Sequence, residues 1–214
     1  MRSYYKGIMV ELLNIDCMEY MATLPDKAFD LAVVDPPYEN KDAIGISNGK
    51  GHAANRKDYH LFKNTMPPPE YFLELKRISK NQIVWGGNYF GLRGGAIVWN
   101  KEGTAFGEGE IAICSTHHSV RFFRYIWNGM IQQDMKNKEF RIHPTQKPVA
   151  LYDWILRNYA KPGQRILDTH LGSGSSAIAA HYFGCDFVGC EIDVDYFNAA
   201  KERFDRETRQ VAMF

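Results

Sequence analysis

Cysteine is scarce in this chain of 214 residues: Cys17, Cys114, Cys185 and Cys190 are its four, with no Cys-x-x-Cys pair. A disulfide scaffold or a zinc ribbon is therefore excluded, and reduced thiols are the default. Cys185 and Cys190 stand at odd separation in a predicted strand, so they point to opposite faces and make a poor zinc site with His181. No metal is expected. No apolar run approaches the length of a membrane span. Met1–Lys6 lacks the apolar core and small-residue cleavage site of a secretion signal, which predicts a cytoplasmic protein.

An excess of charge is missing too. Lys and Arg number 26 against 25 Asp and Glu, a net charge of +1. Nothing pulls the whole molecule toward a polyanion, so nucleic-acid binding would need local patches. One candidate patch holds Lys41, Lys50, His52, Arg56, Lys57 and Lys63. The other holds Arg121, Arg124, Lys136, Lys138 and Arg141, interleaved with Phe122, Phe123, Tyr125 and Trp127. Counting charge alone, both read as solvated surface. Repeats and low-complexity linkers are also absent, so residues 1–214 read as a single domain.

What is present is an alternation of strands and helices. Seven strands are predicted, at 8–13, 29–34, 82–85, 96–99, 111–114, 165–168 and 186–190. Pro67-Pro68-Pro69 opens a helix with Tyr71, Leu75 and Ile78 on one face. Leu151, Trp154, Ile155 and Tyr159 stripe a second helix, and Phe197, Ala200 and Phe204 stripe the last. This pattern predicts an α/β fold, a doubly wound and mostly parallel sheet covered on both sides. Residues 39–66 are rich in Gly, Asn and Lys with little periodicity, which reads as a mobile or functional loop. Residues 115–142 read as a short insert.

Two motifs carry chemistry. The apolar run Phe29–Val34 ends in Asp35-Pro36-Pro37-Tyr38, where two prolines stop the strand and stiffen the chain. A carboxylate, rigid carbonyls and an aromatic ring are thus presented together, which suits gripping an amino group on a flat ring. The competing reading is a proline turn capped by Asp35. The second motif runs from Ile166 to Ala177, a strand into Gly172-Ser173-Gly174 and then a helix, with Glu191 ending the next strand. That is a nucleotide-binding pattern, in which glycines admit the ligand to the backbone and the acid accepts from ribose hydroxyls.

A dinucleotide dehydrogenase fits this second motif poorly. Asp168 precedes the glycines, where it would repel a pyrophosphate but suit a cation. The motif lies late in the chain, with no room for a second nucleotide-binding half. A dehydrogenase also leaves Asp35–Tyr38 without a role. S-adenosylmethionine satisfies all three points: adenosine for Glu191, a positive methionine end for Asp168, and a methyl for an amino group at Asp35.

On these residues the chain resembles the S-adenosylmethionine-dependent amino-methyltransferases of DNA, which act on adenine N6 or cytosine N4. Asp35–Tyr38 is similar to the family's catalytic tetrapeptide, Asp168–Ser175 to its cofactor motif, and His143–Pro148 to the motif before it. The order, catalytic motif first, resembles the circularly permuted β class of that Rossmann-like fold. The resemblance covers nearly the whole chain. It implies Asp35, Pro36, Pro37 and Tyr38 as catalytic. It implies Asp16, Cys17, His143, Thr145, Lys147, Asp168, Gly172, Gly174, Ser175 and Glu191 as cofactor-binding, with Asp16 against adenine and Thr145 and Lys147 toward the cofactor's carboxylate. Thr145 is alternatively a helix cap. DNA contact is assigned to Lys50, Arg56, Arg121 and Arg124. A homodimer and a restriction endonuclease partner are family-level implications.

Aspartate at the first catalytic position favours adenine N6, with cytosine N4 as the alternative. A non-catalytic nucleotide-binding module is the rival from another class, and the intact tetrapeptide argues against it. Where many members carry Pro-Phe after the cofactor-motif aspartate, this chain has Thr169-His170, and His170 reads as a hydrogen-bonded packing residue, with a polar pocket-lining role as the alternative.

Overall fold

The computed structural model describes residues 2–5, 7–38, 65–102, 107–127 and 131–209. The predicted loop, with Lys50 and Arg56, lies almost wholly outside the described residues.

In Phe29–Val34, which forms β3, Leu31–Val34 is an unbroken apolar run because the strand is covered on both faces. Leu31 and Val33 enter one core cluster, and Ala32 and Val34 enter the other. Side chains alternate across a strand, so each face receives every second residue. The same division holds in β4 (Ser79–Trp85), β8 (Arg165–Asp168) and β9 (Asp186–Glu191). Ile83, Ile166 and Phe187 go one way, and Val84, Leu167 and Val188 the other.

These strands join β1 (Arg2–Tyr5), β2 (Ile8–Asn14), β5 (Gly95–Asn100), β6 (Gly109–Cys114) and β7 (Val120–Arg124) in one sheet. The order is β1-β2-β9-β8-β3-β4-β6-β5-β7. From β2 through β4 the pairing is parallel, and only β1 and β6 run against their neighbours.

The doubly wound class is as expected, but the described residues hold nine strands instead of seven. The two additional ones are edge strands. β7 was hidden in the aromatic-basic segment: Phe123 alone is buried in it, so the alternation that betrays a strand is missing. The segment expected as an insert therefore starts as part of the sheet.

Helices α1 (Cys17–Ala22) and α2 (Pro69–Ile78) cover one face. The other is covered by α3 (Val149–Tyr159), α4 (Ser175–Phe183) and α5 (Val194–Arg209). α2 begins at its proline run and buries Tyr71, Leu75 and Ile78, as its spacing predicts. In α3 the buried stripe is Leu151, Tyr152, Ile155 and Leu156, with Trp154 and Tyr159 at its margin. In α5 a charged residue, Arg203, is fully buried beside Ala200 and Phe204.

Candidate active site

β3 and β8 are neighbours and parallel, yet the chain leaves them in opposite directions. From β3 it proceeds to α2 on one face. From β8 it turns at once into α4 on the other. Diverging loops leave a crevice at the carboxyl ends of such a strand pair, where α/β sheets bind ligands. Asp35–Tyr38 and the Gly172–Gly174 turn are the two loops that flank it.

Asp35 reaches this crevice on a strand stopped by Pro36, which is itself buried. Its Oδ2 accepts from the Lys147 ammonium at 2.5 Å. Its Oδ1 is buried and has no hydrogen-bond partner among the described residues. Burial pushes the carboxyl above its ordinary value; Lys147 opposes that shift and Glu110 adds to it. Lys147 also lies 3.0 Å from Oε2 of Glu110, with its ammonium 5.3 Å from the Trp85 ring centre. Glu110 in turn takes the ammonium of Lys101 on Oε1 at 2.5 Å. Burial works against the Glu110 charge, but Lys147 and Lys101 outweigh it and hold the carboxyl down at about 2. Lys147, expected at the cofactor's carboxylate, is thus committed to Asp35 and Glu110.

Tyr38 stacks on Tyr89 with ring centres 4.8 Å apart and planes 11° from parallel. Phe90 meets it edge-on at 6.4 Å.

Across the crevice, Gly172 and Gly174 have φ of +51° and +76°, values that glycine adopts without strain. Glu191 braces the turn: Oε2 accepts from the Gly172 N–H at 2.9 Å and Oε1 from Asp193 at 3.0 Å. Asp168 is buried, accepting from Ser176 Oγ at 2.6 Å and from the His170 N–H at 3.0 Å. Burial raises its carboxyl to about 7, outweighing those two donors. His143 lies over Gly172 and meets Tyr196 edge-on. Desolvation lowers its imidazole to about 4, so it is neutral at pH 7.

Thr145 bonds that ring through its hydroxyl at 3.1 Å. It is not a helix cap, since Pro148 occupies that position in α3. The Ser175 hydroxyl is spent within the protein, donating to the Lys147 carbonyl at 2.8 Å and accepting from Arg203 at 2.8 Å. Asp16 caps α1 through the Met18 and Glu19 N–H groups, beside Glu191 at the ends of paired strands. Burial pushes the neighbouring Cys17 thiol up to about 12, so it stays protonated. His170 bonds Thr169 Oγ1 at 2.9 Å and packs edge-on against Tyr71.

The two described arginines of the basic segment part company. Arg124 ends β7 opposite Asn100, next to Lys101 and hence at the crevice end of the sheet. Arg121 lines a cavity of about 410 Å³ with His117, Tyr159 and Lys161, at the other end of the strands. Among the described residues no set of three His, Cys, Asp or Glu could hold a metal, and no helix is long and apolar enough to cross a membrane.

Sequence reasoning missed Glu110, Lys101, Gly86 and Arg203. Glu110 had a weak signal, a lone acid in an otherwise apolar strand. Arg203 had none, because a charged residue on an amphipathic helix reads as its solvent face.

A family model described as DNA methylase, of the N6/N4 type, matches residues 98–202. The type II methyltransferase M.HinfI of Haemophilus influenzae is 23% identical over 95% of this chain and 70% of its own. The type II methyltransferase M2.DpnII of Streptococcus pneumoniae is 22% identical over 96% of this chain and 93% of its own. The crystal structure of the M1.HpyAVI–SAM complex has a similar fold, with a TM-score of 0.59 at 18% identity, covering 91% of this chain and 100% of that one.

Proposed function

We propose that this chain, whose residues 98–202 match the N6/N4 DNA methylase family model, moves a methyl group from S-adenosylmethionine to the N6 amino group of adenine in DNA. One observation carries the reading: a buried carboxylate oxygen, Asp35 Oδ1, with no partner among the described residues, at the crevice shared with a glycine turn. An unpaired buried acceptor is costly unless a ligand satisfies it.

The donor set opposite suits the cofactor. Gly172 and Gly174 keep side chains away from the turn, and Asp168 and Glu191 supply acid where a cation and ribose hydroxyls would lie. We assign Asp16 and Cys17 to the adenine end, and His143, Thr145 and Ser175 to the walls around the turn. When bound, S-adenosylmethionine supplies a methyl group made electrophilic by a cationic sulfur. Asp168 orients the positive end, and Glu191 accepts from the ribose.

An aromatic amino group is a poor nucleophile because its lone pair is delocalised into the ring. Asp35 Oδ1 accepting one N–H, and the Pro36 carbonyl the other, favours a tetrahedral nitrogen and frees that pair. Holding the amine in line at reacting distance is the protein's main contribution. The target base must leave the duplex, which costs a few kcal/mol that stacking on the Tyr38 cluster partly offsets. Arg124, with Lys50 and Arg56, is assigned to DNA phosphates. A homodimer, a restriction endonuclease of the same system and a cytoplasmic setting complete the reading.

The test is to incubate the protein with duplex DNA and methyl-labelled cofactor, digest the DNA and identify the labelled nucleoside. N6-methyladenine is expected. N4-methylcytosine would move the assignment to cytosine, which aspartate at position 35 disfavours but the chemistry allows. Label in neither would overturn the reading, as would substantial turnover by Asp35→Ala.

A further inference from the structure

Lys147 is held by two acids where one would neutralise it. Its side chain is 3% exposed, and its ammonium bridges Asp35 Oδ2 at 2.5 Å and Glu110 Oε2 at 3.0 Å. Lys101 then meets the far oxygen of Glu110. The four charges alternate, Asp35, Lys147, Glu110, Lys101, and sum to zero. They come from four separate segments: the end of β3, the turn before α3, the start of β6, and the residue after β5. A buried ion pair with one partner missing is strongly destabilising, so a chain this deep must be complete to be tolerated.

The arrangement has a consequence for Asp35. Its two oxygens are not equivalent: one is spent on Lys147, and the other is buried without a partner among the described residues. Which oxygen is spent depends on where Lys147 stands, and Lys147 is pinned from behind by Glu110. We propose that Glu110 is a positioning residue for methyl transfer, clamping Lys147 so that Asp35 keeps one oxygen for the incoming amino group, while Glu110 and Lys101 together set how tightly Asp35 holds its charge. This rests on the function proposed above.

The charges act on Asp35 with opposite signs. The Glu110 carboxylate repels a negative Asp35 and raises its titration, whereas Lys147 and Lys101 lower it. Tyr38, Tyr152 and Asp168 also lie within electrostatic reach of it. Without the Glu110 charge, Lys147 would belong to Asp35 alone. Such a carboxylate is less basic and a weaker acceptor for an amino N–H. Without Lys101, Glu110 would be less neutralised and Asp35 more basic.

The experiment follows the Asp35 carboxyl by carbon-13 NMR in the ligand-free protein, its resonance assigned with Asp35→Asn. Glu110→Gln should titrate lower than the parent, and Lys101→Met higher. Glu110→Gln should also slow single-turnover methylation by about 10- to 100-fold, with cofactor affinity by calorimetry within about twofold of the parent. Equal midpoints in all three proteins, shifts in the same direction, or an unchanged rate in Glu110→Gln would overturn the proposal. If Glu110→Gln does not fold, the upward shift in Lys101→Met decides alone, and its absence overturns the clamp. A parent that methylates no DNA sinks the functional reading instead, while the two titration shifts still decide whether the clamp exists.

Discussion

The ring of Tyr38 lies so close to Gly86 that a Cβ at position 86 would stand 2.3 Å from its Cδ1 atom. Gly86 directly follows β4, the neighbour of β3 in the sheet, so the two loops leave adjacent strand ends. A missing side chain on one strand end is what lets the aromatic ring of the other settle over the crevice.

Gly86→Ala should therefore displace Tyr38. The residue also sits at φ +64°, where alanine adds strain of roughly 1–2 kcal/mol. Methylation should fall by at least about tenfold, since misplacement near 1 Å can cost more than that. Cofactor affinity should hold. Gly91→Ala is the control: its φ is +66°, but nothing lies within 4 Å of its Cβ. It should lose some stability and keep its turnover. Equal turnover losses in the two variants would show that Tyr38 is not the cause.

Asp168 makes stability and ligand binding depend on pH. Its carboxyl rises from 3.8 to about 7 on folding, through burial. The folded state therefore holds an extra proton between those values, and its stability falls as pH rises through that window. A shift of this size is worth a few kcal/mol, at roughly 1.4 kcal/mol per pH unit. A cationic ligand favours the ionised form, so cofactor binding should strengthen as pH climbs toward 7 and should release a proton below it. Calorimetry in buffers of different ionisation enthalpy reads that proton directly. Asp168→Asn should abolish the pH dependence and weaken binding; a proton count unchanged in that variant would place the titrating group elsewhere.

Arg203 secures the glycine turn from behind. Fully buried, it donates to the Ser173 carbonyl at 3.1 Å and Ser175 Oγ at 2.8 Å, and pairs with Glu139 and Glu207. Arg203→Met leaves Glu139 without its cationic partner in a desolvated place and should cost on the order of 3–5 kcal/mol. Urea denaturation would measure it. A loss under about 1 kcal/mol would mean the side chains rearrange to share the charge.

DNA contact should separate Arg124 from Arg121. The former is at the crevice end of β7, and the latter faces the cavity at the opposite end. Arg124→Ala should weaken DNA binding and reduce the slope of log affinity against log salt by about one, as expected for a lost phosphate contact. Arg121→Ala should leave the slope alone. The reverse result would put DNA on the other end of the sheet.

Much of this molecule was legible before any coordinate. Strands buried on both faces announce themselves by short consecutive apolar runs, Leu31–Val34 in β3, Ile83–Trp85 in β4 and Ile166–Leu167 in β8, so these strands, and with them the doubly wound class, could be read directly. Edge strands carry no such run: β7 buries only Phe123, and its pattern is indistinguishable from a basic surface segment. Lys147 was visible as a residue of interest, but its partners were not, because Asp35 and Glu110 are 112 and 37 positions away and meet it only through the strand order.

By itself, the order of residues determined the local chemistry: a proline-stopped strand ending in an acid, glycines where the backbone turns left-handed, and acids at successive strand ends. Those depend on backbone sterics and short-range periodicity, which act within a few residues. Tertiary structure alone decided which charges neutralise one another, which Asp35 oxygen is spent, and which arginine shares the crevice. Such matters turn on distances between segments far apart in the chain, and buried electrostatics is decided over a few ångströms.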